Sequence, residues 1–273
     1  MATNRPGTSM SSETLLQHKN AVIYGGGGAI GAAVARAFAR DGARVFLAGR
    51  TLERVQAVAE EISRAGGRAE AARVDALDET AVEEHMRQVA GRSDQIDILF
   101  DAVDMEDVQG TPLLDMSVED FVHPVLMAVR TKFVIARAVA RHMVQHGSGT
   151  IMTITVEPTP AADLGGFMPA CSAVEGLWRS FAYELGPRGV RLIVIRSAGS
   201  PEAPGVQEVN AIHAERRGMT PQQLVGRHGA GTMLRRLPRV AEVANAATLL
   251  ASDRASAMTA VHANVTCGAF FDL

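Results

Sequence analysis

The chain has 273 residues, 47% of them apolar, and a formal net charge of -3. That suits one α/β domain with a single large core. There is no basic block to attract nucleic acid and no apolar run near the roughly 18 residues of a membrane span.

The start, Met1 to Ser12, is polar and lacks the apolar stretch of a signal peptide. Residues 1–17 therefore read as a flexible tail before a single domain over 18–273, with the cytoplasm as the expected location. Strand and helix patterns then alternate, which predicts a parallel sheet covered on both faces. The first strand, 21–24, runs into Tyr24-Gly25-Gly26-Gly27-Gly28-Ala29-Ile30-Gly31 and a helix over 30–41. Glycines there let the backbone approach a ligand, and the free N–H groups of a helix start favour negative charge. A second strand, 44–48, leads to Gly49-Arg50. Strand, glycine turn, helix and strand within about 30 residues make a dinucleotide-binding unit.

Thr51 is placed to cap a helix reaching about residue 65. A third strand, 69–74, ends at Asp75, and a helix over 79–91 follows. Strand four, 96–100, is followed by a polar loop, 101–117, and a long helix to His146. Strand five covers 150–155, a helix 167–186 and strand six 190–196. Segment 197–238 is weakly periodic, and its Pro201, Pro204 and Gly205 suit a mobile substrate lid. A helix over 239–251 and a strand over 262–266 complete a seven-stranded, doubly wound, Rossmann-like α/β domain. Ligands of such sheets sit beyond the C-terminal strand ends.

These segments, in this order, resemble the short-chain dehydrogenase/reductase superfamily. The family's Thr-Gly-x-x-x-Gly-x-Gly motif corresponds to residues 24–31. Ala48-Gly49-Arg50-Thr51, Val74-Asp75, Leu177-Trp178-Arg179-Ser180 and Asn264-Val265-Thr266-Cys267-Gly268 match further stretches. The resemblance implies that Gly25, Gly28, Ala29, Ile30 and Gly31 line a diphosphate, that Asp75 accepts from the adenine amino group, and that Arg50 and Thr51 stand beside the adenosine ribose. Position 49 carries no acid, and a guanidinium at 50 suits a 2′-phosphate. NADP(H) is therefore favoured over NAD(H), with a chain that has lost its cofactor as the remaining alternative. The family also implies a small-molecule substrate and a homo-oligomer, dimer or tetramer. Met127, Phe133, Val134, Trp178 and Phe181 could serve its faces or the core.

The chain departs from the family where the chemistry lies. The family uses a tyrosine, a lysine four residues later, a serine at the end of strand five and an asparagine in the preceding helix. The tyrosines here are Tyr24 and Tyr183, followed four residues on by Gly28 and Pro187. The seven-residue spacing of the enoyl-carrier-protein reductases lands on Gly31 and Val190. The lysines are Lys19 and Lys132, among 27 basic residues. Alignment on Gly176-Leu177-Trp178 puts Phe167 in the tyrosine slot, Cys171 in the lysine slot, Val156 beside Thr155 in the serine slot and Ala128 in the asparagine slot. Where the family has Asn-Asn-Ala-Gly, this chain has Asp101-Ala102-Val103-Asp104, which adds two carboxylates near a polyanion.

Asp104, Thr155, Phe167 and Cys171 are thus the expected substrate-pocket residues, with Ser197 near the nicotinamide and the catalytic group itself unassigned. Cys171 reads as a nucleophile near a helix start or as a small buried apolar group. Thr155 reads as a carbonyl donor or a locally bonded hydroxyl. Glu157 and Asp163 lie in the loop over the site. His142 and His146 lack a third ligand, so no metal site is expected. The leading expectation is an atypical NADP(H)-dependent oxidoreductase that works without the tyrosine–lysine relay. The alternatives are non-redox chemistry in the same pocket (a cyclase, dehydratase or isomerase, with Asp104, Cys171 or Glu157 in play) and a catalytically silent NADP(H)-binding partner.

Overall fold

The computed structural model describes residues 14–156 and 162–270. Its strands are β1 Asn20–Tyr24, β2 Arg44–Gly49, β3 Arg68–Arg73, β4 Ile98–Asp101, β5 Gly149–Val156, β6 Val190–Ser197 and β7 Val261–Val265. They form one sheet in the order 3-2-1-4-5-6-7, with every neighbouring pair parallel. The helices are α1 Ala29–Arg40, α2 Leu52–Arg64, α3 Glu79–Ala90, α4 Val118–His146, α5 Phe167–Leu185, α6 Pro204–Arg216, α7 Pro221–Gly231 and α8 Val240–Ala251. None of the described helices is long and apolar enough to cross a membrane.

Strand side chains alternate between faces, so β1 feeds two cores. Val22 and Tyr24 join α3, α4 and α5 residues such as Met86, Val139 and Trp178. Ala21 and Ile23 join α1, α2 and α8 residues such as Phe38, Val55 and Val243. Leu16 falls within the stretch expected to be a loose tail, yet it is fully buried in this second core, and its N–H donates to Asp41 O. Residues 1–13 of that expected tail, and Glu157, lie outside the described residues.

The longest helix carries clear end signals. Ser117 Oγ accepts from Asp120 N–H at the start of α4, and Gly147, at φ 66°, ends it. Along α4 and α5, Val134 and Trp178 are buried in the core, so they are not available to an oligomer face. Phe133 is partly exposed and stacks on Phe181. Strand four begins two residues later than its apolar pattern suggests; Asp97, just before it, accepts from Asn20 N–H through its carboxylate. The lid segment holds two helices that its weak periodicity did not reveal.

Candidate cofactor cleft and active site

β1 lies between β2 and β4, and the chain reverses its direction of progress across the sheet there. This is the switch point at which such sheets bind ligands. Gly25 has φ 71°, and a Cβ on it would lie 2.3 Å from Ala102 O; a Cβ on Gly31 would lie 2.2 Å from Gly25 O. Side chains at either position would fill the cradle or break it. The first hydrogen bond of α1 runs from Ala32 N–H to Gly28 O, and the helix has neither a side-chain cap nor an acid in its first turn. The N–H groups of Ala29, Ile30 and Gly31 therefore have no carbonyl partner in the helix, which makes an anion site.

A cavity of about 230 Å³ opens above this loop. Gly25, Gly28, Arg50, Thr51, Arg54 and Asp75 line one side; Val103, Asp104, Glu106, Met127 and Thr131 line the other. A larger hollow of about 550 Å³, between α2 and β3, contains none of these residues and lies away from the strand ends. Thr51 stands at the N-cap of α2, but its side chain makes no capping bond, contrary to its expected role. Asp75 Oδ1 accepts from Leu77 N–H. The residues at hand thus fit a dinucleotide: backbone donors for a diphosphate, two guanidiniums beside the ribose position and a carboxylate for an amino group.

Below the cleft lies a buried ion pair. Lys132 Nζ on α4 is 3.2 Å from Asp101 Oδ1 and donates to Val103 O, and both side chains are sealed from solvent. Asp101 Oδ1 also accepts from Val103 N–H. The pair therefore clamps both backbone groups of Val103, against which the glycine loop packs. It also corrects the expected charge balance: Asp101 is paired with a buried ammonium, so of the two carboxylates at 101 and 104 only Asp104 adds negative charge at the cleft. Asp104 is exposed, and its Oδ1 accepts from Met105 N–H.

Tyr24, beside Asp101 across the β1–β4 pair, is buried, with its hydroxyl 2.9 Å from His85 Nδ1. Burial, and then the Asp101 charge, push the Tyr24 phenol above its usual range. Burial, and then the Arg92 charge, push His85 down to about 4. Tyr183 is exposed on α5.

Of the expected substrate-pocket residues, Asp104 lines this cavity, while Thr155, Phe167 and Cys171 do not; Phe167 opens α5 and packs against the core. Cys171 is buried; burial and the charges of Glu175 and Asp107 push its thiol up to about 11, against the opposing charge of Lys132 and a backbone hydrogen bond at Val156. That is an inert thiol, not an activated nucleophile. Thr155 Oγ1 donates to Glu175 Oε1, and Arg196 Nε and Nη2 grip the same carboxylate at 2.8 and 2.7 Å. Burial alone would raise Glu175, but the Arg196 bonds and charge, with help from His262 and Thr155, hold it below the usual carboxylate range. Ser197 Oγ and Ser200 Oγ, at the end of β6, are buried without a hydrogen-bond partner among the described residues.

Asp107 and Gln109, in the loop after β4, were not singled out from sequence. Asp107 is raised above its usual range by burial and by the Asp104 charge, against a hydrogen bond from Gln109. Gln109 in turn bonds His213 of α6, and Asp163 accepts from Gly110 N–H and Arg216, so the lid is tied to the loop after β4. The acid run in 104–107 was the available signal for Asp107. Lys132 was missed as well, and its partner Asp101 lies 31 positions away in sequence.

The sheet order and the glycine turn at its switch point define a Rossmann-type α/β protein. The family model described as enoyl-(acyl carrier protein) reductase matches residues 27–269, and the chain belongs to that family within the short-chain dehydrogenase/reductase superfamily. It is 33% identical over 267 residues to an uncharacterized oxidoreductase of Mycobacterium tuberculosis, with 94% of each chain covered. It is 29% identical to the 7alpha-hydroxysteroid dehydrogenase of Escherichia coli K12 over 90% of this chain and 92% of that one. The crystal structure of sorbitol-6-phosphate 2-dehydrogenase from Erwinia amylovora superimposes with a TM-score of 0.86 at 26% identity, covering 92% of this chain and all of the other.

Proposed function

We propose that this member of the family is an NADP(H)-dependent oxidoreductase of a small organic substrate that works without the tyrosine–lysine relay. The observation that carries the cofactor choice is the cleft wall: Arg50 and Arg54 line it, and position 49 is glycine instead of an acid. Gly25, Gly28, Ala29, Ile30 and Gly31 would hold the diphosphate, Asp75 the adenine and Thr51 the ribose edge. A bound nicotinamide would supply or accept a hydride.

The chain's own groups set what can react. Phe167 offers a ring without a hydroxyl, the Cys171 thiol stays protonated, and the Thr155 hydroxyl is committed to Glu175. A ketone would find no phenol to protonate its oxygen. An iminium or a conjugated alkene needs no tyrosine proton and suits the site better. Homo-oligomerisation and a cytoplasmic location complete this reading; exposed apolar residues on α4 such as Leu126 and Phe133 support the first.

Thermal shift with cofactor decides the matter. NADPH at about 100 times its dissociation constant should add about 2.7 kcal/mol to stability. No shift with NADPH or NADH at millimolar levels would sink this reading. Arg50→Ala should weaken NADPH about tenfold, the scale of one lost charge-assisted contact, and leave NADH within about twofold.

One observation favours a second reading, non-redox chemistry in the same pocket. Asp107 is a carboxyl raised by burial whose charge acts at Cys171, which suits a general acid. Turnover without cofactor consumption, abolished by Asp107→Asn, would select it.

A further inference from the structure

Glu106 belongs to the loop between β4 and α4 and stands on the wall of the cleft opposite Arg50. Its backbone lies in the left-handed region, at φ 54°, which residues other than glycine rarely adopt. Its carboxylate spans the mouth of the cavity. One oxygen is 2.5 Å from Arg50 Nη2 on the β2 side, and the other is 3.8 Å from His123 Nε2 on α4. Arg54, one helical turn further along α2, makes no ion pair among the described residues.

The guanidinium that would receive a 2′-phosphate is therefore already engaged by an acid of the same chain. A carboxylate and a phosphate both seek the two-pronged face of an arginine. They also repel each other across the few ångströms that Arg50 can bridge. A ribose 2′-hydroxyl carries no charge, and it can donate to Glu106.

We propose that Glu106 is a specificity-determining residue that competes with the 2′-phosphate for Arg50 and so lowers the preference of the cleft for NADP(H) over NAD(H). The proposal rests on the cofactor reading above and names the group that tunes it. Arg50 and Arg54 supply the attraction for the phosphate, and Glu106 subtracts from it. Selectivity is then a difference of two opposed terms.

The test is direct binding of NADPH and NADH to the full-length protein by calorimetry, with wild type, Glu106→Gln, Arg50→Ala and the double variant. Glu106→Gln keeps the shape and removes the charge at an exposed position, and its melting temperature without ligand reports an intact fold. The expected result is about tenfold tighter NADPH binding with NADH changed by less than about twofold. In the Arg50→Ala background the gain should shrink to less than about threefold. Equal changes for both cofactors, no change, or weaker binding of both would overturn the proposal; the last would make Glu106 a clasp that retains any dinucleotide. If wild type binds neither cofactor, the cofactor reading and this proposal fall together, and that failure is visible before any variant is made.

Discussion

Lys132→Met is expected to cost about 3–5 kcal/mol of folding stability, the scale for removing one partner of a buried ion pair. Lys132 and Asp101 are 1% and 0% exposed, and Asp101 Oδ2 has no hydrogen-bond partner among the described residues. Without the ammonium, a carboxylate is left in the core with only the Val103 N–H beside it. The double variant Asp101→Asn, Lys132→Met removes both charges and should recover most of the loss. Urea unfolding at pH 7 measures both, with the slope of the transition as a check that the unfolded state is unchanged. A single variant that lost less than about 1 kcal/mol would show that the pair is solvated.

Acid should destabilise the protein through His85 by about 3 kcal/mol between pH about 6.5 and about 4. The imidazole titrates near 6.5 when unfolded and near 4 when folded, because it is buried beside the Tyr24 hydroxyl. In that window the unfolded chain holds a proton that the folded chain refuses. Stability from this group is fully present above about 6.5, falls as pH drops through the window and is lost below about 4. Other carboxylates and histidines also titrate there, so the measurement is a comparison. Denaturation of wild type and His85→Gln at pH 7.5 and 4.5 should give a smaller acid loss in the variant. Parallel losses would mean that His85 accepts its proton without unfolding.

The sheet and its order of elements were legible because alternating apolar runs and glycine stops recur at regular spacing. The tight glycine turn was legible for the same reason: Gly25 and Gly31 stand where a Cβ would meet backbone at 2.3 and 2.2 Å. The lid was less so. The apolar residues of α6 form no stripe, although α7 carried a readable signal in Thr220-Pro221-Gln222-Gln223, whose Thr220 and Gln223 form a reciprocal capping box. The chemistry below the cleft was least legible. Lys132 meets Asp101 across 31 positions of sequence, and nothing local distinguishes a lysine that faces water from one sealed under a strand end. The carboxylate at 101 therefore read as surplus negative charge, when the helix behind it carried the counter-ion. Arg50 was legible as a residue of the cleft wall, but its tie to Glu106 across the cleft was not.

The Lys132–Asp101 pair also constrains how such a site can change over descent. Either charge alone is costly in the core, while neutral side chains at both places are tolerable. A lineage acquiring the pair from neutral residues avoids that cost only by changing both positions nearly together. Once both are present, neither can revert by itself. The positions corresponding to 101 and 132 should therefore vary in step among relatives, with an acid at the strand end wherever the helix carries a buried lysine. Grafting only one of the two into a relative with the usual asparagine should unfold it sooner than it alters its cofactor.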